Sequence, residues 1–187
     1  MVFMLYELAL NPDIQKRLRN EITTGIERNG GKLTYDLLFD LKYLDMVVNE
    51  TLRKFPPVFL IMRKSSKDFK IPGTEMVIPA NTDIHINVFS LHRDPEYFPN
   101  PEKFDPERFT PENVKNRKPF TFIPFGNGPR NCIGGRFGLL QAKLGIVRLI
   151  SSFEFSPSER TTIPMKFSPP ALFLAPIDNM WLNVKKL

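Results

Sequence analysis

The sequence predicts a mainly α-helical protein with small β-sheets, in the α+β class. Apolar residues recur at helical spacing up to about residue 54 and again after residue 135, whereas residues 67–88 alternate in short runs. Hydrophobic residues make up 42% and charged residues 25% of the 187 residues, which is typical of a globular domain with a buried core. We therefore expect one domain, or part of a larger one.

The charge and the cysteine content argue against several classes of protein. A single cysteine cannot form an intramolecular disulfide, which argues against a disulfide-rich secreted scaffold and favours a reducing compartment. The net charge is +6 with a pI near 9.5, but the cations are scattered and no nucleic-acid-binding motif accompanies them. We expect acidic partners or lipid headgroups, and no nucleic acid. We find no signal peptide and no apolar run long enough to span a bilayer.

Residues 1–57 are predicted to be helical. The spacing of the apolar residues, with the prolines and glycines between them, predicts helices over residues 1–10, 12–27, 35–39 and 42–54. In the last of these helices Glu50 and Arg53 stand three positions apart, so they share one helix face and can form an ion pair. Taken alone, this pattern favours an exposed pair of little energetic value.

Residues 58–88 are predicted to be rich in β-structure, and residues 89–124 to form a meander of prolines and aromatic residues. Short strands are expected over residues 67–71, 76–78 and 82–88. In the last strand Ile84, Ile86 and Val88 would share one face. The meander lacks clear periodicity, but its phenylalanines argue that it packs against the rest of the chain.

The only cysteine, Cys132, lies in a loop rich in glycine over residues 125–134, directly before a predicted helix. The positive end of that helix would favour the thiolate, which is the form that binds metals. Arg130 adds a fixed cation, so the pair suits an anionic cofactor that carries a metal, such as haem with its propionates. A buried, unreactive cysteine is the structural alternative. A thiol redox sensor is a weaker one, because a second, resolving cysteine is missing.

The end of the chain is predicted to contain one long helix and then strands. The helix covers residues 135–152, and residues 153–187 are expected to form two or three terminal β-hairpins. The apolar residues of the helix are expected to form its core face: Phe137, Leu140, Leu144, Val147 and Ile150.

The spacing Phe125-x-x-Gly128-x-Arg130-x-Cys132-x-Gly134 resembles the haem-binding loop of the cytochrome P-450 superfamily. Glu50-x-x-Arg53 and Pro106-Glu107-Arg108-Phe109 precede it in the order typical of the C-terminal half of that fold. The resemblance covers essentially the whole chain and looks closest to insect microsomal members that oxidise foreign and lipophilic compounds. It implies the C-terminal part of a cytochrome P-450 domain, with the proximal haem-binding loop and the helix that follows it.

The resemblance also implies roles for individual residues. Cys132 matches the proximal ligand of the haem b iron, whose thiolate pushes electron density through the iron and favours O–O cleavage. Arg130 and Arg63 match partners of the haem propionates, and Phe125 matches an aromatic residue that shields the sulfur. The predicted cofactor-binding set is completed by Ile133 and Gly134.

Further residues match structural and substrate-contacting positions of the superfamily. Glu50, Arg53 and Arg108 match a buried salt-bridge triad that locks the meander to the helix. His92 is expected to pack or to form a hydrogen bond and not to bind a metal. Two apolar segments resemble substrate-contacting stretches, although plain core is an equally good interpretation, and their predicted contact residues are Phe59, Leu60, Ile61, Leu172 and Phe173.

The function that the resemblance implies is that of a haem-thiolate monooxygenase, which inserts one oxygen atom of O2 into lipophilic small molecules. NADPH-cytochrome P-450 reductase and cytochrome b5 would be its partners, on the cytosolic face of the endoplasmic reticulum membrane, with the anchor outside this chain. The acid–threonine pair of the distal oxygen-activating helix has no match here. We therefore expect a C-terminal fragment that does not hydroxylate substrates by itself, and a non-catalytic haem-binding product is the alternative.

Overall fold

The computed structural model describes residues 1–168 and 173–187, and it confirms the predicted combination of helices and small antiparallel sheets. The helices are α1 (Val2–Leu10), α2 (Pro12–Arg28), α3 (Tyr35–Asp40), α4 (Lys42–Lys54), α5 (Val88–Leu91), α6 (Pro111–Asn116) and α7 (Gly135–Ser152). The strands are β1 (Leu60–Lys64), β2 (Phe69–Lys70), β3 (Val77–Ile78), β4 (Asp83–Asn87), β5 (Phe153–Pro157) and β6 (Leu182–Lys186). They pair as β1 with β4, β2 with β3, and β5 with β6. In the part of the chain that the structure describes, none of the helices combines the length and the apolarity needed to cross a bilayer.

The hydrophobic core joins helices α1, α2, α4 and α7. Leu18 and Ile22 of α2 and Leu44 of α4 have no exposed surface, as their helical spacing predicts. Phe104 and Phe109 bring the meander into the same core, with 4% and 6% of their surface exposed. The meander is therefore packed against the helices, as its aromatic content predicts.

The buried face of α7 differs from the predicted one. Phe137 is 66% exposed and Leu144 is 37% exposed, so the prediction is wrong for both. Val147 is buried as predicted. Lys143, one helical turn earlier, is also buried, and its ammonium pairs with Asp45. The spacing of apolar residues predicts a purely apolar core face. A long lysine side chain can nevertheless occupy a core-facing position when its charge is paired.

Strand β1 is one element that the sequence does not predict. Residues 59–62 form a continuous apolar run, and periodicity alone cannot assign such a run to a strand. The strand forms by pairing with β4, from Leu60 opposite Asn87 to Lys64 opposite Asp83. The side chain of Asn87 then caps α5 by accepting the Ser90 N–H at 3.0 Å, so residue 88 begins a helix and does not end the strand.

The meander holds more regular structure than its sequence suggests. A 3₁₀ turn covers Pro106–Phe109, and α6 follows it. The side chain of Asp105 accepts the Glu107 N–H at 3.2 Å, and that of Thr110 accepts the Asn113 N–H at 3.3 Å. In both cases a capping side chain precedes a proline in the first turn, which is a recognised start signal for a helix.

The pairings of the terminal strands are nested. β5 pairs antiparallel with β6, and an isolated antiparallel bridge between Phe167 and Pro176 lies within the segment that connects them. The expected number of two or three terminal hairpins stays a prediction, because residues 169–172 lie outside the described part of the chain. Strand partners depend on contacts between distant segments, which alternation within each segment does not encode.

The end of α4 carries an ion pair between Glu50 and Arg53 in which neither residue has exposed surface. The guanidinium binds the carboxylate through two hydrogen bonds, Nε to Oε2 at 2.7 Å and Nη2 to Oε1 at 2.8 Å. It also donates to the carbonyl oxygens of His92 at 3.0 Å and Pro101 at 2.8 Å. Glu50 Oε1 accepts the Asp105 N–H at 2.8 Å. The pair therefore ties the meander to α4.

Arg108 approaches this pair at longer range. Its Nε lies 3.5 Å from Glu50 Oε1 and has no hydrogen-bond partner among the described residues. Its Nη2 donates instead to the Asn100 carbonyl oxygen at 3.0 Å. The contact of Arg108 with Glu50 is thus electrostatic, without the bidentate geometry of Arg53.

We predict that Arg53→Ala lowers the free energy of unfolding by about 3–5 kcal/mol, because it leaves the Glu50 carboxylate buried without its cation. Arg108→Ala is expected to have a smaller effect, since Arg53 still binds both carboxylate oxygens. Chemical denaturation of the two variants in parallel measures the difference.

The matched control is Lys70→Ala. Lys70 pairs with Glu75 at 2.9 Å, but the side chains are 57% and 96% exposed, and such pairs contribute about 0–1 kcal/mol. An Arg53→Ala variant that loses no more stability than Lys70→Ala would contradict the importance of the buried pair.

Candidate functional site

The segment of residues 125–134, here called the cysteine loop, is closed by its own backbone. The Phe125 carbonyl oxygen accepts the N–H of Cys132 at 2.9 Å. Gly126 and Gly128 have φ angles of +74° and +81°, in the left-handed region that costs other residues roughly 1–2 kcal/mol. These two glycines therefore permit the turn that presents Cys132.

Cys132 is exposed, three residues before the start of α7. The first N–H groups of a helix have no partner within it, and they give this end of α7 a partial positive charge. The next two residues, Ile133 and Gly134, are also exposed, so the loop offers an open surface around the thiol.

Phe125 joins the cysteine loop to α7. Its ring packs on the first residue of the helix, and a Cβ atom built on Gly135 would lie 3.6 Å from the ring. Its carbonyl oxygen holds the Cys132 amide, as described above. The predicted aromatic residue therefore lies at the junction between the loop and the helix.

Arg63, at the end of β1, reaches the cysteine loop from a distant part of the chain. Its Nη2 donates to the Arg130 carbonyl oxygen at 3.1 Å, and its Nη1 to the Met62 carbonyl oxygen at 2.8 Å. Arg130 is exposed, and its guanidinium forms no ion pair within residues 1–168 and 173–187. The structure thus places the side chain of Arg63 against the backbone of Arg130, the other predicted propionate partner, in the loop that carries the thiol.

An apolar slot of about 370 Å³ lies beside the cysteine loop, with walls from α1, α4 and α7. Phe125 lines it, and so does Gly138 on the α7 wall, where an added Cβ would meet nothing within 4 Å. Its other lining residues include Phe3, Met4, Val48, Leu52, Leu139 and Ala142.

Two larger clefts lie elsewhere on the surface. One of about 700 Å³ lies between α2, α3 and the start of α4, and one of about 430 Å³ lies on the meander beside Tyr97. Of the described residues that line them, most are polar or charged and none belongs to the cysteine loop. We assign the site to the smaller slot, because its walls are apolar and include Phe125 of the cysteine loop.

The described end of the second predicted substrate-contacting segment lies beside the start of the first. The Leu174 N–H donates to the Pro57 carbonyl oxygen at 2.9 Å, which brings Phe173 next to the start of the first segment. Phe173 is 60% exposed and lines the apolar slot. Leu172 lies outside the described residues.

The three predicted contact residues of the first segment occupy different positions. Ile61 borders the cysteine loop, since its Cδ1 lies 3.7 Å from the place of a Cβ on Gly126. Phe59 and Leu60 are half-buried and are not among the described residues that line the slot. The main chain of Phe59 instead accepts the Val88 N–H at 2.9 Å and so holds the start of α5.

His92 has a position that the sequence does not reveal. It is fully buried, and its Nε2 accepts the N–H of Ile123 at 2.9 Å. Burial lowers the pKa of His92 to about 4, so the ring is neutral at physiological pH. The expected packing or hydrogen-bonding role is compatible with this geometry, but nothing in the local sequence identifies Ile123 as the partner.

These residues fit a haem group by the chemistry of their donors. An exposed thiol before a helix N-terminus can supply a thiolate ligand, and two arginines, one in the loop and one in contact with its backbone, can pair with carboxylates. An adjacent apolar slot suits a flat hydrophobic macrocycle.

Comparison with known proteins supports the same conclusion. The family model described as Cytochrome P450 matches residues 1–184. Probable cytochrome P450 6a13 of Drosophila melanogaster is 50% identical over 187 residues, which cover 100% of this chain and 38% of that protein. Cytochrome P450 6k1 of Blattella germanica is 47% identical over 184 residues, covering 98% of this chain and 35% of that protein. Cytochrome P450 6B2 of Helicoverpa armigera is 45% identical over 184 residues, covering 98% and 36%.

This chain therefore spans between 35% and 38% of the length of these three relatives, while the match covers nearly all of its own length. The motif around Cys132, the buried pair on α4 and the family match over residues 1–184 all lead to one assignment. The chain belongs to the cytochrome P450 family.

Proposed function

We propose that this chain is the proximal part of a haem-thiolate monooxygenase that inserts one oxygen atom of O2 into lipophilic small molecules. The observation that carries the proposal is the exposed Cys132 at the N-terminus of α7, beside Arg63, Arg130 and an apolar slot. The activity and the substrates belong to this proposal for the whole protein, of which the chain would form the part that holds the cofactor.

Haem b, when bound, would supply the iron at which O2 is activated. Cys132 would be its thiolate ligand, stabilised by the positive end of α7. Arg63 and Arg130 would pair with its carboxylates, where a guanidinium fork matches carboxylate geometry. Phe125 and the slot would exclude water from one side, which strengthens the electrostatic interactions within the site.

The proposal includes the partners and the location that the family resemblance implies. NADPH-cytochrome P-450 reductase would supply electrons, with cytochrome b5 as a second donor, on the cytosolic face of the endoplasmic reticulum membrane. The net charge of +6 and the exposed Arg136, two residues after the cysteine loop, suit an acidic protein surface. Foreign, lipophilic compounds would be the substrates, as the family resemblance implies, and the apolar predicted contact residues Phe59, Leu60, Ile61 and Phe173 suit such compounds.

We predict that Cys132→Ser, in the protein at its full length, abolishes the thiolate-type spectrum of the reduced haem with bound carbon monoxide. Serine keeps the backbone hydrogen bond to Phe125 but replaces the thiol, so the change acts on the ligand and leaves the loop intact. Absorption spectroscopy of the variant measures the effect.

The control is Asn131→Ala, one position earlier in the same exposed loop. It is expected to keep the thiolate-type spectrum. A Cys132→Ser variant with an unchanged spectrum would show that another group binds the iron. Product formation coupled to electron transfer from the reductase then tests the monooxygenase activity itself.

A second prediction concerns the slot. Gly138→Phe places a ring in the space beside α7, so we expect folded protein with little bound haem. Gly138→Ala is the control: its Cβ meets nothing within 4 Å, and alanine in a helix is favoured over glycine by about 1 kcal/mol. This variant is expected to keep its haem and to gain stability.

Haem content per polypeptide and circular dichroism of both Gly138 variants provide the measurements. If Gly138→Phe binds as much haem as the unmodified protein, the cofactor does not occupy this slot.

A further inference from the structure

His92 connects the buried ion pair to the cysteine loop. Its carbonyl oxygen accepts a hydrogen bond from Arg53 Nη1 at 3.0 Å, and its side chain accepts the Ile123 N–H at 2.9 Å. The Ile123 carbonyl oxygen in turn accepts the N–H of Gly126 at 3.0 Å, in the first turn of the loop. Phe125, the residue directly before Gly126, accepts the amide of Cys132. Hydrogen bonds joined by short covalent stretches of chain therefore connect α4 to Cys132.

The hydrogen bond from Ile123 requires an imidazole whose Nε2 carries no proton, so the neutral ring has its proton on Nδ1. The ring packs against Phe98 and Phe122, with centroid distances of 6.2 and 5.2 Å. Nδ1 makes no hydrogen bond with the described residues, although the main chains of Leu52 and Arg53 lie near the ring.

The charged groups around the ring favour the neutral form. Arg53 comes from α4, and Arg93 follows directly in the chain, where its Nε pairs with Glu102 at 3.1 Å. On the meander side, the Arg117 guanidinium lies 5.6 Å from the centre of the Phe122 ring. The carboxylate of Glu50 faces Arg53, which neutralises it. Protonation would thus add a cation to a buried region that already contains arginines.

We propose that His92 is a positioning residue whose unprotonated Nε2 holds the Ile123 amide and so sets where the cysteine loop presents Cys132. This inference rests on the proposed function, in which the loop places the thiolate ligand of the haem. If Nε2 were protonated, two N–H donors would face each other. The bond to Ile123 would then break, and the loop would lose this connection to α4.

The direction of the pH effect follows from the pKa of His92. It is about 4 in the folded protein, against about 6.5 for an unperturbed histidine. Because the folded value is the lower one, the contribution of His92 to the free energy of unfolding is fully present above pH 6.5 and decreases as the pH falls from 6.5 towards 4. In the folded protein itself, the ring gains its proton and loses the bond to Ile123 only as the pH approaches about 4.

Three variants separate the hydrogen bond from the packing of the ring. His92→Gln keeps an acceptor and does not titrate. His92→Phe keeps an aromatic ring between its neighbours and removes the acceptor. His85→Gln is the matched control, since His85 is the other histidine of the chain and is exposed on β4.

The first measurement is the fraction of thiolate-type spectrum in the reduced, carbon monoxide-bound protein between pH 7.5 and pH 3.5, a range that includes the pKa of His92. The unmodified protein and His85→Gln are expected to lose this fraction together as the pH falls. His92→Gln should lose it only at lower pH, and His92→Phe should show a reduced fraction already at pH 7.5. A pH profile of His92→Gln equal to that of the unmodified protein would overturn the proposal. If His92→Phe does not fold, this comparison is sufficient to decide.

The second measurement does not depend on the iron ligand. Hydrogen exchange of the Ile123 amide at pH 7.5 should be roughly tenfold faster or more in His92→Phe, and unchanged in His92→Gln and His85→Gln. Equal exchange in a folded His92→Phe variant would overturn the proposal. If the unmodified protein shows no thiolate-type spectrum, the proposed function fails, and the exchange of Ile123 still tests the role of His92.

Discussion

The buried ion pair between Glu50 and Arg53 is the contact on which the position of the meander depends. Such a pair is not by itself a source of stability, because removing two charges from water costs about as much free energy as their attraction returns. Here the guanidinium also donates to the carbonyl oxygens of His92 and Pro101, in a segment with little helix or strand of its own. Buried carbonyl groups need such partners. The pair therefore specifies one position for a part of the chain that repeating secondary structure cannot hold.

The position of the cysteine loop follows from that of the meander. The reactive part of the loop is exposed and makes few contacts of its own, since Cys132 is held through its backbone by Phe125. Its place in the molecule is set from the inside, through the buried ring of His92 and the amide of Ile123. A mobile, solvated loop would hold a thiol ligand poorly in position for a metal-bearing cofactor. A loop connected to a fully buried charge pair can keep its thiol in one place while leaving the sulfur accessible.

The candidate site combines residues from one loop with residues from distant parts of the chain. Arg130 and Cys132 come from one loop, whereas Arg63 comes from a strand that forms only when β1 pairs with β4. The pairing places Arg63 opposite Ile84 and directs it to the loop, where it donates to the Arg130 carbonyl oxygen. The apolar slot has walls from three helices, so its shape exists only in the packed molecule. Its walls, and not its size, distinguish it from the larger polar clefts.

The sequence by itself determined the fold class, the bounds of α4 and α7, and the motif around Cys132, because each depends on neighbouring residues: helical spacing, proline stops, and glycines at fixed offsets. Only the tertiary structure decided that Glu50 and Arg53 are buried, since their spacing is the same in an exposed and in a buried pair. The same holds for strand β1, for the buried face of α7 and for the bond between His92 and Ile123. These features arise from contacts between segments far apart in the chain. Local periodicity does not indicate which distant segment a side chain will contact.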